Sequence, residues 1–289
     1  MRKIYITLLL LIGCICSYAS SQLRNWIAVS PIVYTTLQID DSPLTTPKLG
    51  GGVGVGIHYH MQYSYLIAEF GFETAFSHYR VGLDDVNLSY DMIDTKGTPF
   101  QYNGLIAKRR DISNTLSIRI PLMVGAKWKY WYMMAGAKFN VNAMSNNKSI
   151  ARMTTSGLYD IYYEEITNVP SHGFENNKRV SSNSSFNYGL DFRPCIEIGA
   201  VLNNSPYTYT RKRNKMHLGV YAEFGVLNTL PYDRNSTLIT SSVNQYMQVK
   251  MSHVYTTPNV SRLNNLEIGV RYKAFIGLDK TNKGLWLYY

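Results

Sequence analysis

The sequence predicts an all-β protein, an eight-stranded antiparallel up-and-down transmembrane β-barrel, and three observations predict it. Apolar and polar residues alternate with period two over runs of about 9 to 11 residues, the length of a tilted strand that crosses a bilayer. The connections between runs are long and short by turns, as expected when short periplasmic turns oppose long extracellular loops. The polar face mixes glycine with charges of both signs, which suits a crowded interior more than a wet exterior.

Residues 1–19 have a basic start (Arg2, Lys3), an apolar run, and small residues at Ser17 and Ala19, the pattern of a secretory signal cleaved after Ala19. Leu11, Ile12, Gly13 and Cys14 offer the alternative of lipoprotein processing at Cys14. Loss of Arg2 and Lys3 lowers the formal charge from +10 to +8. Of the three cysteines, Cys14 and Cys16 would leave with the signal, so Cys195 stands alone and no internal disulfide is expected. Export turns the basic balance toward anionic lipid or polysaccharide head groups and away from nucleic acid. Beyond the signal no run approaches the ~18 consecutive apolar residues of a spanning helix, so a membrane would be crossed by strands.

The barrel is expected over residues 20–277, with 278–289 a periplasmic tail. The first strand, 25–37, is β-rich but unclear in phase and carries Pro31; a loop follows at 38–49. The second, 51–61, sets Val53, Val55 and Ile57 against Gly54, His58 and His60. After a turn at 62–64 the third, 65–80, sets Leu66, Phe70, Phe72 and Phe76 against Glu69, Gly71, Glu73 and Ser77. Residues 81–114 read as a long polar loop. The clearest hairpin spans 117–142: Ile118, Ile120, Leu122 and Val124 share one face of its first arm, and Met133, Ala135, Phe139 and Val141 one face of its second. Its join, Lys127, Trp128, Lys129 and Tyr130, places aromatic and cationic groups where a strand meets lipid head groups. A loop at 144–184 precedes the sixth strand, 185–202, and a turn at 203–214 the seventh, 215–227. A loop at 228–263 precedes the closing strand, 264–276. The β-prone stretch 237–255 is read as extending the last two strands, with ten strands the alternative. Pro121 and Pro194, inside strands, predict a bulge or bend.

With lipid on the apolar side, Tyr130, Trp131, Phe76 and Phe186 would form interfacial girdles. The opposite face would gather Glu69, Glu73, Arg119, Lys138, Asp191, Arg193, Glu197, Glu223, Glu267, Arg271 and Lys273 in a lumenal charge network. An eight-stranded barrel is just wide enough for side chains to fill it, so these charges read as a paired plug rather than an ion path.

The signal, the paired hairpins, the IPLMVG (120–125) and YMMAGAKFNVN (132–142) pattern and the closing LEIGVRYKAFI (266–276) resemble the outer-membrane β-barrel family common in Bacteroidota, including PorT-like members. The resemblance covers nearly all of the mature chain. It implies the barrel fold and the cell outer membrane, and PorT-like members imply a role as an accessory of protein secretion, with no reaction and no cofactor.

Three function classes follow. The first is a plugged barrel presenting surface loops, whose tyrosines (Tyr90, Tyr102, Tyr159, Tyr162, Tyr163, Tyr232, Tyr246, Tyr255) suit recognition of an extracellular protein or glycan. Its other partners would be outer-membrane lipid or lipopolysaccharide and, during biogenesis, the barrel-assembly machinery. The second is a lipid-modifying enzyme, which needs a nucleophile beside a base. Ser77 and His78 are adjacent on a strand and point to opposite faces, and His58 and His60 have metal-ligand spacing without an evident third ligand. No constellation is complete, so a non-enzyme is expected. The third is the secretion accessory.

Overall fold

The computed structural model describes residues 23–94, 96–160, 164–184, 186–202, 216–234, 236–244 and 246–277. The expected signal at 1–19, the expected tail at 278–289 and the expected turn at 203–214 lie outside them. Strands in chain order are β1 (Leu23–Asp40), β2 (Thr45–Tyr63), β3 (Leu66–Leu83), β4 (Val86–Ile93), β5 (Pro99–Lys127), β6 (Trp131–Tyr159), β7 (Glu164–Thr167), β8 (Lys178–Ser184), β9 (Asp191–Val201), β10 (Met216–Phe224), β11 (Ile239–Asn244), β12 (Tyr246–Met251) and β13 (Leu263–Gly277).

Eight of these pair in a ring: β1, β2, β3, β5, β6, β9, β10, β13 and back to β1, each pair antiparallel. A ring is what an apolar surround demands, because an unpaired strand edge would leave backbone polar groups with no partner. Burial alternates inside out. Val220, Leu122 and Ile268 point outward and are 58%, 50% and 48% exposed, whereas Glu223 and Arg271 point inward at 1% and 0%. A soluble barrel has the opposite polarity. The outward belt of aliphatic and aromatic side chains is a surface suited to hydrocarbon.

The structure corrects several expectations. In β1 the inward set is Ala28, Ser30, Ile32, Tyr34 and Thr36, and the strand continues to Asp40, so the 38–49 loop shrinks to the link 41–44. Residues 81–114 and 144–184 are mostly strand. β5 and β6 are 29 residues each, roughly 95 Å of chain at about 3.3 Å per residue, several times what a bilayer needs. Their distal halves pair with each other, with β4 folded back on β5 and β7 and β8 on β6. Away from lipid both faces of a strand can be polar, so the alternation that marks a spanning strand is missing there. The stretch 237–255 neither lengthens the spanning strands nor adds to the ring: β11 and β12 form a separate two-stranded sheet.

The prolines make no bulge. Across Pro121 the β3–β5 register runs from Phe70 opposite Leu122 to Glu73 opposite Arg119 without a shift, and only the intervening rungs are missing. Pro31 interrupts the β1–β13 ladder in the same way, and the β9–β10 ladder stops at Cys195, beside Pro194. A residue in an antiparallel strand bonds to one neighbour only, so a proline forfeits bonds on one side and leaves the other ladder intact. The register shifts between β5 and β6 fall instead between Ala107 and Arg110 and between Leu116 and Ser117. The ninth strand starts at Asp191 rather than 185, and Tyr188 turns inward. Phe186 packs against Tyr188 and His253, at ring separations of 5.3 and 5.1 Å, and so leaves the girdle. Tyr130, Trp131 and Phe76 are exposed on the outside at 55%, 61% and 47%.

The polarity makes a measurable prediction. Val220→Arg should lower the stability of folding into phospholipid vesicles by about 2–4 kcal/mol, whereas the same change at Ile93, 70% exposed at the end of β4, should shift it by less than about 0.5 kcal/mol. Urea titration of vesicle-folded protein measures both.

Candidate functional site

Inward positions on neighbouring strands face one another by register, and here register sets like charges side by side. Glu223 on β10 is directly opposite Glu267 on β13, and Lys138 on β6 is directly opposite Arg193 on β9. Such pairs repel. Each is neutralised by the other, and the two acids also by Arg119, which reaches across the lumen from β5: its Nη1 lies 3.1 Å from Glu223 and 2.8 Å from Glu267. Arg193 donates to Glu223 at 3.0 Å and, through Nε, to Asp191 at 2.6 Å. Lys138 is 3.2 Å from Glu73. Below, Arg271 pairs with Glu73 and, at 3.2 Å, with Glu197, while Lys273 lies 2.9 Å from both Glu69 and Glu197. The structure therefore places all eleven charged positions of the polar face in one connected set of ion pairs, none more than 2% exposed.

Aromatic groups complete this core. Tyr79 donates to Glu267 at 3.0 Å, and Tyr132 donates to Glu197 at 2.6 Å. Lys138 and Arg271 sit over the Tyr221 ring, 4.7 and 5.2 Å from its centroid. Tyr132 and Tyr221 fall on the polar face of the alternation, which was the available signal for them. Gly219 is the space into which Tyr132 fits, since a Cβ there would collide with the Tyr132 hydroxyl. At the short-turn end His60 and His217 meet Phe275 edge-on and His217 stacks on Tyr132; the two histidines, Phe275 and Trp26 border a space too small for a water molecule. Glu69 contacts both His58 (3.3 Å) and His60 (3.2 Å), so the two histidines meet a carboxylate of the lumenal charge network. No cluster suited to a metal ion forms among the described residues.

The opposite mouth is filled by the chain between β12 and β13. Its 3-10 turn, Val254–Thr256, and Val260 are buried with Val81, Leu83, Tyr188, Leu230 and Leu263. Polar contacts pin it: Val254 N donates to Asp111 at 2.7 Å, Tyr255 Oη donates to Asp40 at 3.1 Å, and Arg109 pairs with Asp111 at 3.2 Å. Asp41 accepts from Ser261 and Arg262, and those bonds hold its carboxyl down at about 2. Tyr102 and Tyr255, expected as recognition residues, are buried structural groups; Tyr232 is 99% exposed. Tyr162 and Tyr163 lie outside the described residues.

Within this plug Ser113 Oγ lies 3.1 Å from His253 Nε2, and His253 Nδ1 lies 3.9 Å from Asp111. The order is that of a hydrolase triad, which sequence spacing could not reveal because His253 arrives from a distant loop. Its bonding is that of a latch. His253 Nδ1 accepts from Tyr255 N, so the proton a triad needs toward the aspartate is not there, and Ser113 accepts from Tyr188 Oη at 2.6 Å. All three residues are 1% exposed. Ser77 faces inward onto Tyr34 (2.8 Å) and His78 outward onto Asn114 (2.6 Å).

No protein-family model matches the chain, and no curated protein matches it. Among solved structures it is similar to Ail, the attachment invasion locus protein of Yersinia pestis, solved in complex with the heparin analogue sucrose octasulfate: 8% identity, 88% of this chain and 99% of that chain covered, TM-score 0.29. It is also similar to OpdQ of Pseudomonas aeruginosa, at 6% identity over 89% of this chain and 98% of that one, TM-score 0.13. These values are low, and the barrel stands on its own register and burial.

Glu267→Ala should destabilise the fold by about 3–5 kcal/mol in urea titrations, because it leaves Arg119 and Arg193 short of a partner in the interior. The latch carries a pH dependence. Burial pushes the His253 imidazole down from 6.5 to about 4, with Asp111 opposing and Arg109 adding to the shift. The undocked histidine therefore binds the proton more readily, so docking is fully stable above pH 6.5 and weakens as pH falls from 6.5 toward 4. At pH 5 the loss is on the order of 2 kcal/mol. The hydrogen-exchange protection factors of residues 251–263, each taken against the intrinsic rate at its own pH, should fall by roughly tenfold or more between pH 7 and 5, and His253→Gln should remove that fall.

Proposed function

We propose that this chain is an integral outer-membrane β-barrel, exported by a cleaved signal, that anchors a β-structured head outside the cell and conducts no solute. The single observation that carries the proposal is the inside-out polarity of the ring, with the aliphatic belt outside and the ion pairs within. A lumen packed with salt bridges, capped by rings at one end and by the Val254–Thr256 turn at the other, supports the plugged reading. The asymmetry supports the orientation: β2–β3 and β5–β6 are joined by short turns at one end, and the strands run far past bilayer length at the other. Kinship with the Bacteroidota PorT-like barrels, a share in protein secretion and a non-enzymatic role belong to the same reading.

The head offers a surface for partners. A groove of about 400 Å³ opens between β4, β5, β6 and β7, lined by Asn87, Ser89, Asn103, Thr154 and Glu165 among others. Amide and hydroxyl groups of this kind suit a glycan or a polar peptide segment.

Purified full-length protein in a planar bilayer should show no sustained conductance steps, and protease added to intact cells should cleave the chain within the head while sparing the spanning strands. Stable ion conductance, or complete resistance of the head until cells are lysed, would overturn this reading.

A further inference from the structure

Just beyond the apolar belt, the outer wall of the barrel carries a band of cations placed side by side. Lys48 on β2 is directly opposite Arg80 on β3, and Arg152 on β6 is directly opposite Arg179 on β8. Arg110 on β5 and Lys148 on β6 fill the space between. Arg80 is opposite Ile112 and Gly82 opposite Arg110, so Arg80 and Arg110 are diagonal neighbours; Ile112 opposite Lys148 makes Arg110 and Lys148 diagonal in turn. The Lys48 side chain lies across Gly82 toward Arg110. All six are exposed and share the outward face. None has a carboxylate within ion-pair distance among the described residues. Like charges directly opposite each other destabilise a ladder. In the lumen every such pair is compensated by opposite charge; on the wall two of them meet no carboxylate, Arg152 donating only to the Asn177 carbonyl at 3.3 Å.

The level of the band says what would meet it. Arg80 is four residues beyond the outward Phe76, and Lys148 four beyond the outward Met144. Four residues are roughly 13 Å of strand, or about 10 Å of height at the ~40° tilt of such barrels. That is the layer outside the ~30 Å hydrocarbon where head groups sit. Arg152 and Arg179 stand four residues past Lys148, roughly 13 Å farther along the strand and above this layer, so the cations at head-group level are Lys48, Arg80, Arg110 and Lys148.

Resting on the outer-membrane reading above, we propose that these four cations bind the head group of an outer-leaflet lipid that bears two or more phosphates, one neutralising Lys48 and Arg80 and another Arg110 and Lys148. The lipid's acyl chains would lie along the adjoining apolar belt.

The test uses the full chain folded in neutral detergent micelles, titrated with bisphosphorylated lipid A, with the same lipid dephosphorylated, with inorganic phosphate, and with a soluble sulfated polysaccharide. The bisphosphorylated lipid should bind about tenfold or more tightly than the dephosphorylated one, and Arg80→Gln with Lys148→Gln should abolish that preference. The same double variant should raise the urea midpoint in neutral detergent, because it relieves the repulsion of Lys48 by Arg80 and of Arg110 by Lys148; a merely solvated surface would show no such gain. Lys96→Gln, at the far end of the head, should leave both readouts unchanged. Normal folding without a phosphate preference would overturn this inference alone. Equal binding of the soluble polyanion or of free phosphate would reassign the band to a soluble ligand and overturn the lipid assignment. Failure of the wild type to fold into neutral bilayers would overturn the membrane reading and this inference with it.

Discussion

The contact on which the barrel depends is the crossing of Arg119 and Arg193 over the facing carboxylates of Glu223 and Glu267. Two acids one strand apart on a buried face repel each other, and so do Lys138 and Arg193. Each like-charged pair is tolerable because the other sits across from it, so the interior is a charge lattice in which no member is optional. Such a core gives specificity more readily than net stability, since desolvation offsets much of the Coulomb gain. It fixes which strands are neighbours and at what register, something an apolar lumen of the same width could not do. The two open pairs on the wall are then exceptions to a rule the lumen obeys throughout.

Rigidity follows from the same lattice. Tyrosines lie flat over or beside the charged heads, and glycines supply the space the rings occupy, so the lumen is solid over the spanning height. The two ends are closed by different chemistry. Imidazole and phenyl rings close the short-turn end, where strands must converge on tight turns. At the far end a loop folds back in and is fixed by backbone donors on Asp111 and by the His253 to Ser113 contact. A seal made of hydrogen bonds and one neutral histidine can respond to conditions that would leave a seal of rings unchanged.

The extended head is the other consequence of closure. Once the ring has set the register between β5 and β6, hydrogen bonding carries on past the belt without needing an apolar face, and β4, β7 and β8 add to the same ribbon. A head built as continuous strand holds its side chains at fixed spacing relative to the membrane. Flexible loops could not, and this is why a band of cations at one level is possible at all.

The amino-acid sequence by itself determined the belt, the polar face and their residues: period two is a local property, so Leu122, Val220 and Ile268 separate from Arg271 and Glu223 without any knowledge of neighbours. It also determined the eight-strand count, because turn chemistry and alternation are both read within a few residues. Only the tertiary structure decided which acid meets which base, that Tyr34, Tyr79 and Tyr255 are interior groups, that prolines cost rungs rather than register, and that 81–114 and 144–184 are strand. Each of these depends on groups far apart in the chain. Where both faces of a strand are polar, or a loop returns to fill a mouth, the stabilising partner has no fixed sequence offset and leaves no periodic trace.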